Sequence, residues 1–314
     1  MYANSTAPLA VPRVFRFDDA DAFRSSIRNL QVDFTPLARK ISAEQTILSL
    51  PGCDLNLTRS FPRIVDAQLT AGTTAVGFTM DDGVPIRFNG VDRDRAVIVI
   101  GNGGSFYTTV EKTPRQYASI IFTPEIVDRG WPTAGANFGI HQITQRAQDR
   151  LREVVQQVLY VTSQQVAQSE VATEAAIKES LLAAIDNAFA EIVPVGWATR
   201  ANTTRQFKVF NDARLVLAGS VAHPIYSGVL AGQIGVSVRT LHDAIQRYRG
   251  MSLHRYLRLR RLWLVRQQLR AGGAHSVKAC ALAYGFWHLS DFSRSYRAQF
   301  GEAPSETLAA SRSS

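Results

Sequence analysis

The chain has 314 residues, with 35 Lys+Arg against 26 Asp+Glu and a formal net charge of +9. A hydrophobic share of 46% with 19% charged residues is that of a folded globular protein and excludes a disordered or fibrous chain. No run of 18 apolar residues occurs, and the first residues lack the basic-then-apolar order of a secretory leader, so a cytoplasmic protein without a membrane span is expected. The length suggests two domains, each able to bury its own core. Cys53 and Cys280 imply no disulfide framework. The charge is unevenly placed. Residues 201–314 hold 16 Lys+Arg and 5 Asp+Glu, a balance of +11, whereas the first 200 residues sum to −2. Such asymmetry points to an anionic polymer held by one domain.

In chain order, residues 18–28 suggest a short helix with Asp18 as N-cap. From about 44 to 122 the chain reads as short strands (67–70, 75–80, 84–88, 96–100, 106–110, 117–122) broken by turn residues, with Asp82-Gly83 as a hairpin signal. Strands at that spacing predict an antiparallel sandwich or barrel. Residues 142–164 and 172–192 carry apolar residues at spacings of three and four and predict two amphipathic helices. Their faces can pack on the sheets or on a second copy of the chain. The stretch 193–205, with Pro, Gly, Asn and Thr, is the expected linker.

The last third holds a weak internal duplication. Leu230-Ala231-Gly232-Gln233-Ile234-Gly235 recurs 50 residues later as Cys280-Ala281-Leu282-Ala283-Tyr284-Gly285. In each copy a short helix ends at Gly, which suits a positive φ, and a second helix starts at Ser237 or near His288. Helix, short turn with Gly, helix is the helix-turn-helix pattern, and a small Ala inside each first helix allows close crossing. Between the copies, residues 252–271 carry six Arg and no acid. Twenty helical residues make a rod of roughly 30 Å, close to the roughly 34 Å turn of B-DNA. Two recognition helices joined by it could enter successive major grooves.

Gly235-Val236-Ser237, Arg239-Thr240-Leu241, Tyr284-Gly285-Phe286, Phe292-Ser293, Phe300-Gly301 and Pro304-Ser305 resemble the AraC/XylS family of bacterial transcription regulators, over roughly residues 210–310. The ending from Ala281 to Leu308 is similar to the XylS branch. The resemblance implies an α+β chain: a cupin-like, effector-sensing antiparallel barrel with flanking helices (1–140), a helical dimerisation segment (141–192), a linker (193–208) and an all-α double helix-turn-helix domain (209–314). It implies an activator of transcription that binds double-stranded DNA as a homodimer and meets RNA polymerase, and not an enzyme. In the first recognition helix Leu241, Ile245 and Tyr248 have inward spacing, leaving Arg239, His242, Asp243 and Gln246 toward the bases. In the second, Leu289, Phe292 and Tyr296 face inward, leaving His288, Ser290, Asp291 and Arg294. Arg can bond guanine bidentately, Gln adenine, and Asp can accept from cytosine. Thr240, Arg247, Arg249, Lys278, Ser293 and Arg297 suit phosphate contacts, which position without specifying sequence.

Other chemistry finds little support. No His precedes His141, so the strand region lacks the imidazoles of a metal-dependent cupin, and no metal or other cofactor is expected. Gly101-x-Gly103-Gly104 precedes a strand and reads as a turn; Asp92-x-Asp94 reads as a solvated one. Phe61, Phe78, Phe88, Phe106, Tyr107 and Phe122 can line a ligand pocket, or, for most of them, fill the core. The XylS-like resemblance implies an organic or aromatic acid as effector. An alternative effector site lies in the linker, where Thr199, Arg200, Thr204 and Arg205 could clamp phosphates of a cyclic dinucleotide. Control by a protein partner without a small molecule is the alternative function.

Overall fold

The computed structural model describes residues 10–81, 85–93, 96–132, 135–164, 174–194, 200–220, 225–272 and 275–313; for 200–204 and 313 it describes the backbone alone. β1 (Arg13–Phe17) leads into α1 (Ala20–Ser26), followed by β2 (Leu30–Pro36), β3 (Ala43–Leu50), β4 (Cys53–Ser60), β5 (Arg63–Leu69) and β6 (Thr74–Thr79). Then come β7 (Ile86–Phe88), β8 (Val91–Arg93), β9 (Val97–Asn102), β10 (Phe106–Glu111), β11 (Arg115–Phe122) and β12 (Gly139–Gln142). Among the described residues the strands pair antiparallel, in a seven-stranded sheet ordered β1-β3-β4-β11-β6-β9-β12 and a five-stranded sheet ordered β2-β5-β10-β7-β8. The α+β class therefore holds, with the barrel realised as two facing sheets. The expected Asp82-Gly83 turn lies outside the described residues. The first helix is capped by Asp19 and not by Asp18: Asp19 Oδ1 accepts from the Asp21 and Ala22 amides at 2.9 and 3.0 Å.

Because strand side chains alternate between faces, each sheet does two jobs. The outer face of the larger sheet (Leu48, Leu55, Val76, Ile98, Ile120) is covered by α2 (Gln145–Ser163) and α3 (Glu174–Ala190), whose Leu151, Val155, Leu181 and Ile185 complete a common core. The apolar faces of these helices are thus used on the sheet and on each other. Cys53 belongs to this core, and burial pushes its thiol up to about 12; Cys280, also buried, shifts upward for the same reason. Neither is a reactive thiol at neutral pH.

The smaller sheet separates a cavity from the C-terminal helices. On β5 and β10, Arg63, Val65, Tyr107, Thr109 and Glu111 line the cavity between the sheets. The alternate residues Ile64, Phe106 and Val110 share a core with α4 (Arg200–Gly219), α5 (Ser227–Gln233), α6 (Val238–Arg249) and the start of α7 (Leu253–Arg270). The expected linker is thus helical from Arg200, because Phe210 is fully buried in that core and Phe207 packs against it. α8 (Val277–Ala283), α9 (Leu289–Phe300) and α10 (Pro304–Ser313) close around a separate core of Leu262, Val265, Leu269, Cys280, Phe292 and Tyr296.

Candidate nucleic-acid interface

α5–α6 and α8–α9 are two copies of one turn. Gly235 and Gly285 have φ of +68° and +76°. The amides of Val236 and Phe286 donate to the carbonyls of Ala231 and Ala281 at 3.0 and 2.9 Å, and those alanines are buried where the helices cross. α6 and α9 each have 12 residues and end at a left-handed glycine, Gly250 or Gly301. Ser237 caps α6, its Oγ accepting from the Thr240 amide at 3.1 Å, whereas His288 gives α9 no side-chain cap. Leu241, Ile245 and Tyr248 in α6, and Phe292 and Tyr296 in α9, are buried as their spacing requires; Leu289 is half-buried.

The opposite faces are open. Arg239, His242, Asp243 and Gln246 are exposed along α6, and His288, Ser290, Asp291 and Arg294 at and along α9. Lys278, Ser293 and Arg297 are exposed as well, and Ser293, Arg294 and Arg297 line a shallow depression closed by Pro304 and Ser305 at the start of α10. Two helices thus present basic and hydrogen-bonding side chains from one domain, the arrangement that suits an α-helix to the major groove.

Residues 230–310 match the family model of a helix-turn-helix domain. Over 75 residues the chain is 39% identical to the XylDLEGF operon transcriptional activator 1 of Pseudomonas putida, covering 23% of each chain. Over 88 residues it is 33% identical to the HTH-type transcriptional activator RhaS of Pectobacterium atrosepticum, covering 28% of this chain and 31% of that one. The chain belongs to the AraC/XylS family. A solved structure of a probable AraC family transcriptional regulator from Rhodopseudomonas palustris is 33% identical, covers 33% of this chain and 97% of its own, and superposes with a TM-score of 0.31. The matched region spans less than a third of each of the two curated relatives.

Within the AraC/XylS domain several side chains depart from the sequence-based expectation. Arg249, expected at phosphate, is fully buried: it donates to Asp66 Oδ2 and Thr108 Oγ1 of the smaller sheet at 2.5 Å each and to the Tyr256 hydroxyl at 3.3 Å. Its role is corrected to that of an interdomain anchor. The paired Asp66 carboxylate and Tyr256 more than offset the desolvation of its guanidinium, whose pKa is raised. Arg247 is half-buried and donates to Gln206 Oε1 at 2.8 Å, and the Thr240 hydroxyl lies 2.9 Å from Ser237 Oγ within the cap. Asp291 pairs with Arg258 of α7 at 2.6 Å, so its carboxylate braces α9 against the rod. The other arginines of α7 are also largely spent inside the protein. Arg260 donates to the Leu217 carbonyl, Arg261 to that of Gly285, Arg266 pairs with Glu302 and Arg270 with Asp19.

The sequence reading missed Asp66 and Arg87. Arg87, paired with Asp92 at 2.6 Å, donates to the Gln246 and Arg247 carbonyls and so caps the C-terminus of α6 from the other domain. Asp66, a carboxylate between the apolar Ile64-Val65 and Ala67 of β5, was the available signal. Of the aromatic residues, Phe88 and Tyr107 line the intersheet cavity, while Phe61, Phe78, Phe106 and Phe122 lie in cores, Phe78 with Phe122 in the one under α2 and α3. At the expected linker site Arg205 is exposed on α4; Thr199 and the side chains of Arg200 and Thr204 lie outside the described residues.

Proposed function

We propose that this chain is a sequence-specific regulator of transcription that reads double-stranded DNA with α6 and α9 and responds to a small-molecule effector held between its N-terminal sheets. The observation that carries the DNA half is the duplicated turn, with two open polar faces on equal 12-residue helices. Arg239 and Gln246 on α6 and Arg294 on α9 are the base readers; Lys278, Ser293 and Arg297 take phosphates. Both curated relatives described above are named activators, and activation is the direction proposed. A homodimer on the operator, in contact with RNA polymerase, completes this reading.

Effector control is supported by the two-faced strands β5 and β10. Residues 63, 65, 107, 109 and 111 meet the cavity, while 66 and 108 hold Arg249 at the last turn of α6. A ligand that favours one arrangement of this sheet shifts the population of docked α6 by its differential affinity. The DNA half is tested by gel shift of wild type and Arg294→Ala on a selected duplex at fixed salt. The variant loses about 1–3 kcal/mol and relaxes preference at one position. Unchanged affinity and preference would remove Arg294 from the reading face.

A further inference from the structure

The turns of the two helix-turn-helix units differ by one residue. Ser237 stands at the N-cap of α6 two residues after Gly235, whereas His288 stands at that of α9 three residues after Gly285. Val236 and Phe286 occupy the same place, each donating its amide to the buried alanine of its own unit. The inserted residue is therefore Trp287, directly before the N-cap of the second recognition helix.

Trp287 is 68% exposed, more than any other Phe, Tyr or Trp among the described residues. Trp131 and Trp263, by contrast, pack against cores. Among the described residues the Trp287 ring stacks on no other ring and lies under no cation. The turn that carries it is nevertheless fixed. Arg261 of α7 donates to the Gly285 carbonyl at 3.3 Å, its guanidinium lies 5.2 Å from the Phe286 ring centre, and Phe286 is buried against Phe292. A rigid turn thus holds out a large apolar side chain that the fold does not use.

The polar atom of that side chain already has a direction. An indole Nε1 can only donate, and here it points to the hydroxyl of Tyr226, 3.5 Å away at the N-cap of α5 in the first unit. The rest of the ring is apolar. In a helix-turn-helix unit the N-terminal residues of the recognition helix meet the base edges. Trp287 adjoins that end of α9, beside the exposed His288 and Ser290. In the major groove the apolar feature of a base pair is the thymine 5-methyl group. An indole whose donor is turned away has nothing to give a phosphate or a base-edge acceptor, and it has a ring face to give that methyl.

We infer that Trp287 is a specificity-determining contact of the second unit, its ring covering the 5-methyl of a thymine at the start of the element read by α9. The inference rests on the DNA reading proposed above. It adds an apolar reader to a helix whose Asp291 is tied back to Arg258, and the shorter turn of the first unit has no counterpart.

The test takes a duplex selected by the full chain and replaces each thymine in turn by deoxyuridine, which removes the methyl alone. Binding of wild type and Trp287→Ala is measured at fixed salt. Wild type is expected to lose about three- to fivefold at one thymine, the effect of burying one methyl group. Trp287→Ala is expected to bind the unmodified duplex more weakly by about the same factor and to ignore deoxyuridine at that position. Because the ring is exposed, the variant keeps the wild-type melting temperature. A variant that binds like wild type, or keeps wild-type sensitivity at every thymine, overturns the inference. So does a selected site without thymine, or a wild type insensitive to every replacement. In each of these cases selective binding survives and the DNA reading stands, whereas a full chain that selects no sequence sinks that reading and the inference with it.

Discussion

The two helix-turn-helix units share a turn geometry and differ in what holds them. The glycines Gly250 and Gly301 align the two recognition helices residue for residue, so Arg249 at the end of α6 corresponds to Phe300 at the end of α9. Phe300 closes its own unit's core against Tyr296 and Trp263. Arg249 leaves its unit altogether and pairs with Asp66 in the N-terminal sheet. Around it, Ile64, Phe106 and Val110 of the sheet share the first unit's apolar core. The second unit touches the N-terminal domain through polar contacts at its surface and along α7: Arg39 on the Ala298 carbonyl at 3.0 Å, Trp263 Nε1 on that of Pro36 at 3.0 Å, and Arg270 on Asp19. One motif repeated in one chain thus yields a unit fused to the N-terminal domain and a unit that carries its own core. The first is the natural recipient of any change in the sheet.

Breaking that asymmetry gives graded outcomes. Arg249→Ala leaves Asp66 buried without its partner and is expected to cost about 3–5 kcal/mol in denaturant unfolding. The double variant Asp66→Leu with Arg249→Met recovers most of the loss, since a buried pair replaced as a whole by apolar residues of similar volume is near neutral. Phe300→Ala is expected to cost about 3 kcal/mol through lost burial and the residual cavity. Its faster hydrogen exchange should stay within α8–α10, whereas that of Arg249→Ala reaches β5 and β10. Ser237→Ala removes the α6 cap for about 1 kcal/mol, while His288→Ala leaves the thermal midpoint of α9 unmoved because His288 caps nothing. Asp291→Ala breaks an exposed pair with Arg258 and costs about 0.2–1 kcal/mol.

Local pattern made the repeat legible: the Gly turns, the buried alanines and the inward spacing of Leu241, Ile245, Phe292 and Tyr296 all rest on contacts within a few tens of residues. Strands at 75–80, 84–88, 96–100, 106–110 and 117–122, and the end of β5 at 67–70, were legible for the same reason, by β-branched and aromatic runs between turns, whereas the short β8 was not. Arg249 was misread because its partner is 183 residues away in sequence, and an arginine after a recognition helix reads as a phosphate contact until that carboxylate is in place. Residues 200–208 read as linker from their Thr and Asn, yet tertiary burial of Phe210 overrides weak helix propensity. The strand β1 went unread because it is mostly exposed and carries no alternation, whereas β2 does alternate, Leu30, Val32 and Phe34 against Gln31, Asp33 and Thr35, a period-two signal that the reading passed over. Arg63, Glu111 and Arg115 are charges at the ends of three strands, and only the register of β5, β10 and β11 brings them to one end of a cavity.

On the reading proposed above, α6 and α9 both read bases, each at its own element of one site. In vitro selection of duplexes by the full chain, repeated with Arg239→Ala and Arg294→Ala, tests it directly. Two enriched elements about one helical turn, roughly 34–36 Å, apart are expected, with Arg239→Ala relaxing one and Arg294→Ala the other. No enriched sequence, or two variants that only weaken binding uniformly at every position, would contradict it.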